Sequence, residues 1–302
     1  MRNAPLIGAC LTLAAAALWG TTGTAQSLAP AQTSPYWVGA LRLVVASLFF
    51  AAYVGATTRA RATPAAWPRS AWPPTIVAGA CIAAYNLTFF AGVKATGVAL
   101  GTALAIGSGP VWAGVLQAVF LRKRPAPAWW LGTALAVAGG CLMLPAGGGA
   151  QRADGVGVAL CLGAGLAYAS YTLISQGLVS RVSPADLTLR TFSVAAVVAV
   201  PVAWLVAGAF TAAPAGWWVV GYLGVFATGV SYLLFSHALR HISGATAVTL
   251  AMGEPVTAFV LAIAVVGEHP APRAFGGLAL VVAGLVIVVW VEAGRARRVS
   301  AT

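Results

Sequence analysis

An all-α membrane protein is the fold class this sequence predicts, and three observations predict it. Of its 302 residues, 60% are hydrophobic and 7% charged, whereas a soluble domain carries about 25% charged residues. The charges are spaced so that apolar stretches long enough to cross a bilayer, about 20 residues each, recur along the chain. The two halves also repeat one another. So few charges cannot cover a water-facing surface, which excludes a cytosolic enzyme, a disordered chain and a nucleic-acid module.

Charged residues cut the chain into ten expected transmembrane helices. The first, about 5–25, follows Arg2 and runs from Ala4 to about Ala25. That is longer than the 7–15-residue apolar core of a signal peptide, so it reads as a span. Prolines between Pro30 and Pro35 separate it from the second, 35–56, which carries Arg42 inside it. The third, 74–93, lies between Arg69 and Lys94, and the fourth, 96–120, between Lys94 and Arg122. The fifth, 128–145, fills the gap from Arg124 to Arg152, and the sixth, 154–176, the gap up to Arg181. The seventh, 186–208, contains Arg190 and parts from the eighth, 214–237, near Thr211–Pro214. Glu254 interrupts the ninth, 244–266, without ending it, and the tenth is 273–292. No strand alternation appears, so a barrel is not expected.

Orientation follows from the basic residues outside the spans, since cytoplasmic loops are enriched in Lys and Arg. With the N-terminus inside, twelve of them fall on the cytoplasmic side; three (Lys94, Arg152, Arg273) fall outside. Both termini are therefore expected in the cytoplasm of a plasma (inner) membrane, and the bias accounts for the net charge of +12 without an anionic partner. Cys10, Cys81, Cys141 and Cys161 all sit in apolar runs, with no metal or disulfide spacing, and read as small packing residues.

Residues 110–139 align with 255–284 at a constant offset of 145. Pro110 falls on Pro255, Pro125-Ala126-Pro127 on Pro270-Ala271-Pro272, Gly132 on Gly277 and Ala138-Gly139 on Ala283-Gly284. Leu41-Arg42 matches Leu189-Arg190 at offset 148. The repeat divides the chain at 1–150 and 151–302. Five helices per copy is an odd number, so the second copy crosses in the opposite sense. That is an inverted-topology repeat, an architecture of secondary transporters.

Several motifs then resemble the EamA-type branch of the drug/metabolite transporter superfamily. They are Leu18-Trp19-Gly20, Arg42, Gly107-Ser108-Gly109-Pro110, Gly253-Glu254-Pro255-Val256 and Gly267-Glu268. The resemblance covers nearly the whole chain. It implies a secondary transporter exporting an amino acid, amine or drug-like metabolite through a cavity between the halves by alternating access. In one departure, the first copy has Gly109 where the second has Glu254, so a carboxylate role rests on one half.

Glu254 is the sharpest candidate for chemistry. It lies about ten residues into the ninth helix, and an acid at that depth faces the interior, where it pairs or exchanges a proton. Coupling candidates are Glu254 and His237; Arg42 and Arg190 are candidate charge partners for it or for a substrate carboxylate. Interior prolines free the carbonyl four residues back, which marks Pro110 and Pro255 as kinks. Trp19, Tyr85, Asn86, Ser108, Tyr168, Tyr171, Tyr232 and Met252 supply the mix of aromatic and small polar groups that lines a small-solute cavity. Gly132, Ala136, Gly139, Gly277 and Gly284 form small-residue faces, open to packing within a monomer or across a homodimer. Trp129-Trp130 suits an interfacial belt.

No phosphate-binding loop, metal motif or cofactor signature occurs, so no cofactor and no metal is expected, and the partners are a small-molecule solute and the lipid bilayer. A non-coupled channel or facilitator is the alternative. An intramembrane enzyme fits least: Ser231 and His237 stand six residues apart on one helix, about 240° round, so they would not meet.

Overall fold

The computed structural model describes residues 4–27, 34–59, 67–144, 155–210, 216–267 and 269–299. Arg2, Arg61, Arg152 and Glu268 lie outside these. Most of the described residues are helical, joined by short turns, with no strand among them. We number the helices α1 (Ala4–Ser27), α2 (Pro35–Arg59), α3 (Trp72–Thr96), α4 (Val98–Phe120) and α5 (Pro127–Leu142), then α6 (Gly155–Val179), α7 (Pro184–Ala207), α8 (Gly216–Ala238), α9 (Gly244–Val266) and α10 (Pro272–Val299). Nine of these stretches are long and apolar enough to cross a membrane. The expected fifth span is shorter than the reading of 128–145. α5 has 16 residues, about 24 Å at 1.5 Å per residue, against roughly 30 Å of hydrocarbon.

Helix ends explain where the charge-based cuts shifted. Lys94 sits in the last turn of α3 rather than in a loop, where its charge complements the carbonyl end of the helix. Gly97 (φ 86), Gly208 (φ 70) and Gly267 (φ 79) follow α3, α7 and α9, each taking a backbone angle that L side chains avoid. Ser243 caps α9, its hydroxyl accepting from the Thr246 N–H at 3.3 Å. The Glu292 carboxylate of α10 adds to the same cap, accepting from Ser243 N at 3.0 Å and from the Thr246 hydroxyl at 2.7 Å.

The packing pairs α3 with α6, α1 with α8, α4 with α6, α1 with α9, α3 with α7, α2 with α8, α2 with α7, α5 with α10 and α4 with α9. Adding five to each label turns α3·α6 into α8·α1, α4·α6 into α9·α1 and α3·α7 into α8·α2. The last three pairs map onto themselves, whereas the α3·α4 contact has no comparable α8·α9 counterpart. α5 and α10 run antiparallel: Gly132 lies against the Gly284 carbonyl and Gly139 against that of Gly277. The small-residue faces are thus spent inside one chain. Trp129 is buried rather than interfacial, at 3% exposure. It packs with Trp130 against Gly114 of α4. Of the cysteines, Cys161 is buried, Cys81 half-buried, and Cys10 and Cys141 exposed; all four are free thiols.

Two helices depart from the α form. α8 opens into a π-helical stretch over Leu223–Val230, where Gly224 and Gly229 let the widened turn lie against Val45 and Phe49 of α2. α9 tightens into a 3-10 turn at Ala251–Gly253, then restarts at Glu254 with Pro255 in its first turn. Proline cannot donate the next helical bond, so the break falls where the sequence places it. α4 carries Pro110 without such a break.

Candidate functional site

A cavity of about 390 Å³ opens between the halves. Trp19 of α1, Arg42 of α2, Tyr85 of α3, Tyr168 of α6, Tyr232 of α8 and Glu254 of α9 reach it, six residues from six helices. Four of these are aromatic and hold one another. Trp19 lies 5.1 Å from Tyr232 and 6.3 Å from Tyr168, and Tyr85 lies 5.4 Å from Tyr168, between ring centroids. Offset and edge-on pairs at such distances add stabilisation beyond burial, so the box is stiff. Tyr171 forms a second layer, 5.9 Å from Tyr232 and 1% exposed. Phe192 closes the back at 4.6 Å from Tyr232.

Arg42 is held on one side only. Its Nη2 donates to Asn86 Oδ1, and the Asn86 amide donates to the Ile82 carbonyl at 2.9 Å, which fixes the amide's orientation. Arg42 Nε, Trp19 Nε1 and Tyr168 Oη are buried and have no protein partner. A buried donor left unsatisfied costs about 1–3 kcal/mol. All three belong to residues that line the cavity. Glu254 enters the same cavity from α9 and forms no ion pair with Arg42: among the described residues the one ion pair is Arg190–Asp186, at 2.9 Å. The Arg42 guanidinium and the Glu254 carboxyl group therefore share the cavity without a direct ion pair.

Arg190 does not join the site. It pairs with Asp186 one turn earlier on α7, and its guanidinium stands 4.2 Å over the Trp67 ring. Its sequence match to Arg42 does not extend to its surroundings. Ser108 turns its hydroxyl to the Ala105 carbonyl at 3.3 Å and sits against α6 at Gly165, off the cavity wall. The His237 ring bonds the Leu233 carbonyl at 2.8 Å, near the end of α8, and lines neither central cavity. Ser231 donates to the Ala227 carbonyl at 2.7 Å and makes no contact with His237.

A second chamber, about 560 Å³, adjoins the first. Thr102, Ile106 and Glu254 border both. Met252 and Pro255 line this second space, not the first. Sequence reasoning missed it, along with Phe89, Phe90 and Thr102 of the first cavity. Phe89 is four residues after Tyr85, on the same helical face, and that spacing was the available signal.

Comparison with known proteins follows the same outline. The model of the EamA-like transporter family matches twice, over residues 6–144 and 155–290. A Bacillus subtilis protein named "Uncharacterized transporter YwfM" is 37% identical over 91% of each chain. The threonine/homoserine exporter RhtA of Escherichia coli K12 is 30% identical over 90% of this chain and 88% of its own. A Streptantibioticus cattleyicolor protein named "Probable terminal-alkyne amino-acid exporter" is 29% identical over 67% and 68%. One solved structure, at 20% identity, superposes with a TM-score of 0.80 over 98% of both chains, a likeness of fold.

Proposed function

This chain belongs to the EamA-like transporter family, and from that premise we propose that it exports an amino acid or a similar zwitterion by alternating access. The family and the names of its relatives point to a transporter rather than an enzyme. The observation that carries the zwitterion is the pair Arg42 and Glu254: opposite charges in one cavity, from different halves, without a mutual ion pair. Arg42, backed by Asn86, supplies a guanidinium charge for a carboxylate. Trp19 Nε1 and Tyr168 Oη add neutral donors. Glu254 takes the ammonium, and the ring faces of the aromatic box favour a cation beside them.

Proton coupling follows from the same carboxylate. Glu254 can hold a proton or face an ammonium, not both, so the two compete. Protonation at the outer side releases the solute, and deprotonation at the inner side readies the site for the next. The halves, 1–150 and 151–302, act as inverted five-helix copies with ten crossings and both termini in the cytoplasm of the plasma membrane. Supporting this are the pairing pattern that survives adding five and the antiparallel α5–α10 contact. The working unit is the single chain, because its glycine faces are already occupied.

Counterflow in proteoliposomes tests the reading. Liposomes holding an unlabelled amino-acid mixture should accumulate external labelled amino acid, saturably. A mixture of amines lacking a carboxylate should not substitute. Equal performance by the amines would remove Arg42 as the carboxylate site; non-saturating flux would favour a channel.

A further inference from the structure

The chamber beyond Glu254 has no place in the head-group chemistry, yet it shares wall residues with the site. Its shared border is Thr102, Ile106 and Glu254. Past that border the walls are mostly apolar, formed by Val137 of α5, Met143 just after it, and Met252 and Phe259 of α9, with His269 at one side. Met252 is 3% and Phe259 8% exposed. A solute hydroxyl entering there would leave water and find few partners, a loss of free energy. A hydrocarbon chain would gain, and the flexible thioethers of Met143 and Met252 fit varied shapes. Met252 lies within the 3-10 turn at Ala251–Gly253 and Glu254 directly after it, and both line this chamber.

We propose that this chamber is the side-chain subsite, and that it selects amino acids with apolar side chains of leucine size or larger over small or hydroxylated ones. The inference rests on the amino-acid reading above. The head stays between Arg42 and Glu254 while the side chain passes Ile106 into the space between α4, α5 and α9. Ala103 of α4 and Ala262 of α9 border this chamber and not the central cavity, so enlarging either narrows the subsite without touching the head-group residues.

The test is inhibition of counterflow by alanine, 2-aminobutyrate, norvaline and norleucine in proteoliposomes of the full chain. Each added methylene should lower the half-inhibitory concentration about fourfold, roughly 60-fold across the series. In Ala103→Leu, and independently in Ala262→Leu, the advantage of norleucine should shrink to within about fivefold, with alanine unchanged. A flat series in the unmodified protein, with alanine still competing, overturns the subsite and leaves the amino-acid reading standing. So does a steep series that both variants preserve. If no member competes and no amino acid counterflows, the amino-acid reading falls and the subsite with it. A flat series together with a phospholipid that co-purifies with the unmodified protein, and is lost in both variants, would assign the chamber to an acyl chain instead.

Discussion

Two neighbouring glycines on α10 should respond to the same substitution in opposite ways. A methyl group added at Gly277 would stand 2.6 Å from the Gly139 carbonyl oxygen and 2.9 Å from Met143 N, where ordinary contact begins at 3.4 Å. Both obstacles are backbone, so α5 and α10 must separate by the better part of an ångström. Overpacking of that kind costs about 1–3 kcal/mol, and backbone obstacles argue for the upper end. At Gly276 a methyl meets nothing within 4 Å, and there alanine should gain about 0.5–1 kcal/mol from helix propensity. Gly277→Ala and Gly276→Ala should therefore differ by about 2–4 kcal/mol, in favour of the second. Gly139→Ala, on α5, should resemble Gly277→Ala, because its methyl would lie 2.5 Å from the Gly277 carbonyl. Reversible unfolding of purified protein in mixed micelles of dodecyl maltoside and SDS, followed by tryptophan fluorescence, reads the difference. Equal midpoints for Gly276→Ala and Gly277→Ala would refute the close antiparallel contact.

Arg42→Lys keeps the charge and loses the planar fork that spans Asn86 and the solute. Hydrogen bonds to charged groups contribute about 1.5–3 kcal/mol, so the KM for amino-acid counterflow should rise roughly 10–150-fold with folding intact by size-exclusion. Glu254→Gln should abolish flux driven by a pH gradient and leave weak, pH-independent exchange. Because protonation removes the ammonium's partner, apparent affinity in the unmodified protein should fall on acidification. Gradient-driven flux persisting in the variant would count against coupling through Glu254. Glu292→Ala withdraws the acceptor for Ser243 N and the Thr246 hydroxyl. It should destabilise the chain by about 1–3 kcal/mol in the same micelle titration, with Glu292→Gln recovering part of the loss.

Much of the scaffold was legible because lipid simplifies the problem. Backbone groups must be satisfied within each segment, so apolar length between charges locates helices. The repeat was legible in Pro125-Ala126-Pro127 against Pro270-Ala271-Pro272, since α5 and α10 both start there. Chemistry at the site was less so. Arg42 and Arg190 share the Leu-Arg context, but Arg190 follows Asp186 by four residues, the spacing of a helical ion pair, and that acid separates their fates. The break at Ala251–Gly253 could be read from Pro255, yet the same residue type at Pro110 leaves α4 continuous, so the proline alone does not predict a break. The π-helical stretch of α8 has no local signature in Leu223–Val230. It depends on Val45 and Phe49 of α2 filling the space above two glycines.

The departures from two-fold similarity gather at the cavity. The first half brings Arg42, with Asn86 behind it; at the matching place the second half has Arg190, already neutralised by Asp186. The second half brings Glu254 where the first has Gly109. It also brings three backbone irregularities within its helices: the 3-10 turn that ends beside Glu254, a π turn at Ala262–Val266, and the π stretch that ends two residues before Tyr232. A scaffold of equivalent pairings such as α3·α6 and α8·α1 allows one cavity to be sealed from either end by related contacts. Identical halves would put like charges at the axis, two arginines or two acids, and could not hold a zwitterion. On the proposed transport reading, asymmetric side chains on a repeated frame answer both needs: the frame would supply the two access states, and one charge from each half would make the solute the bridge between them.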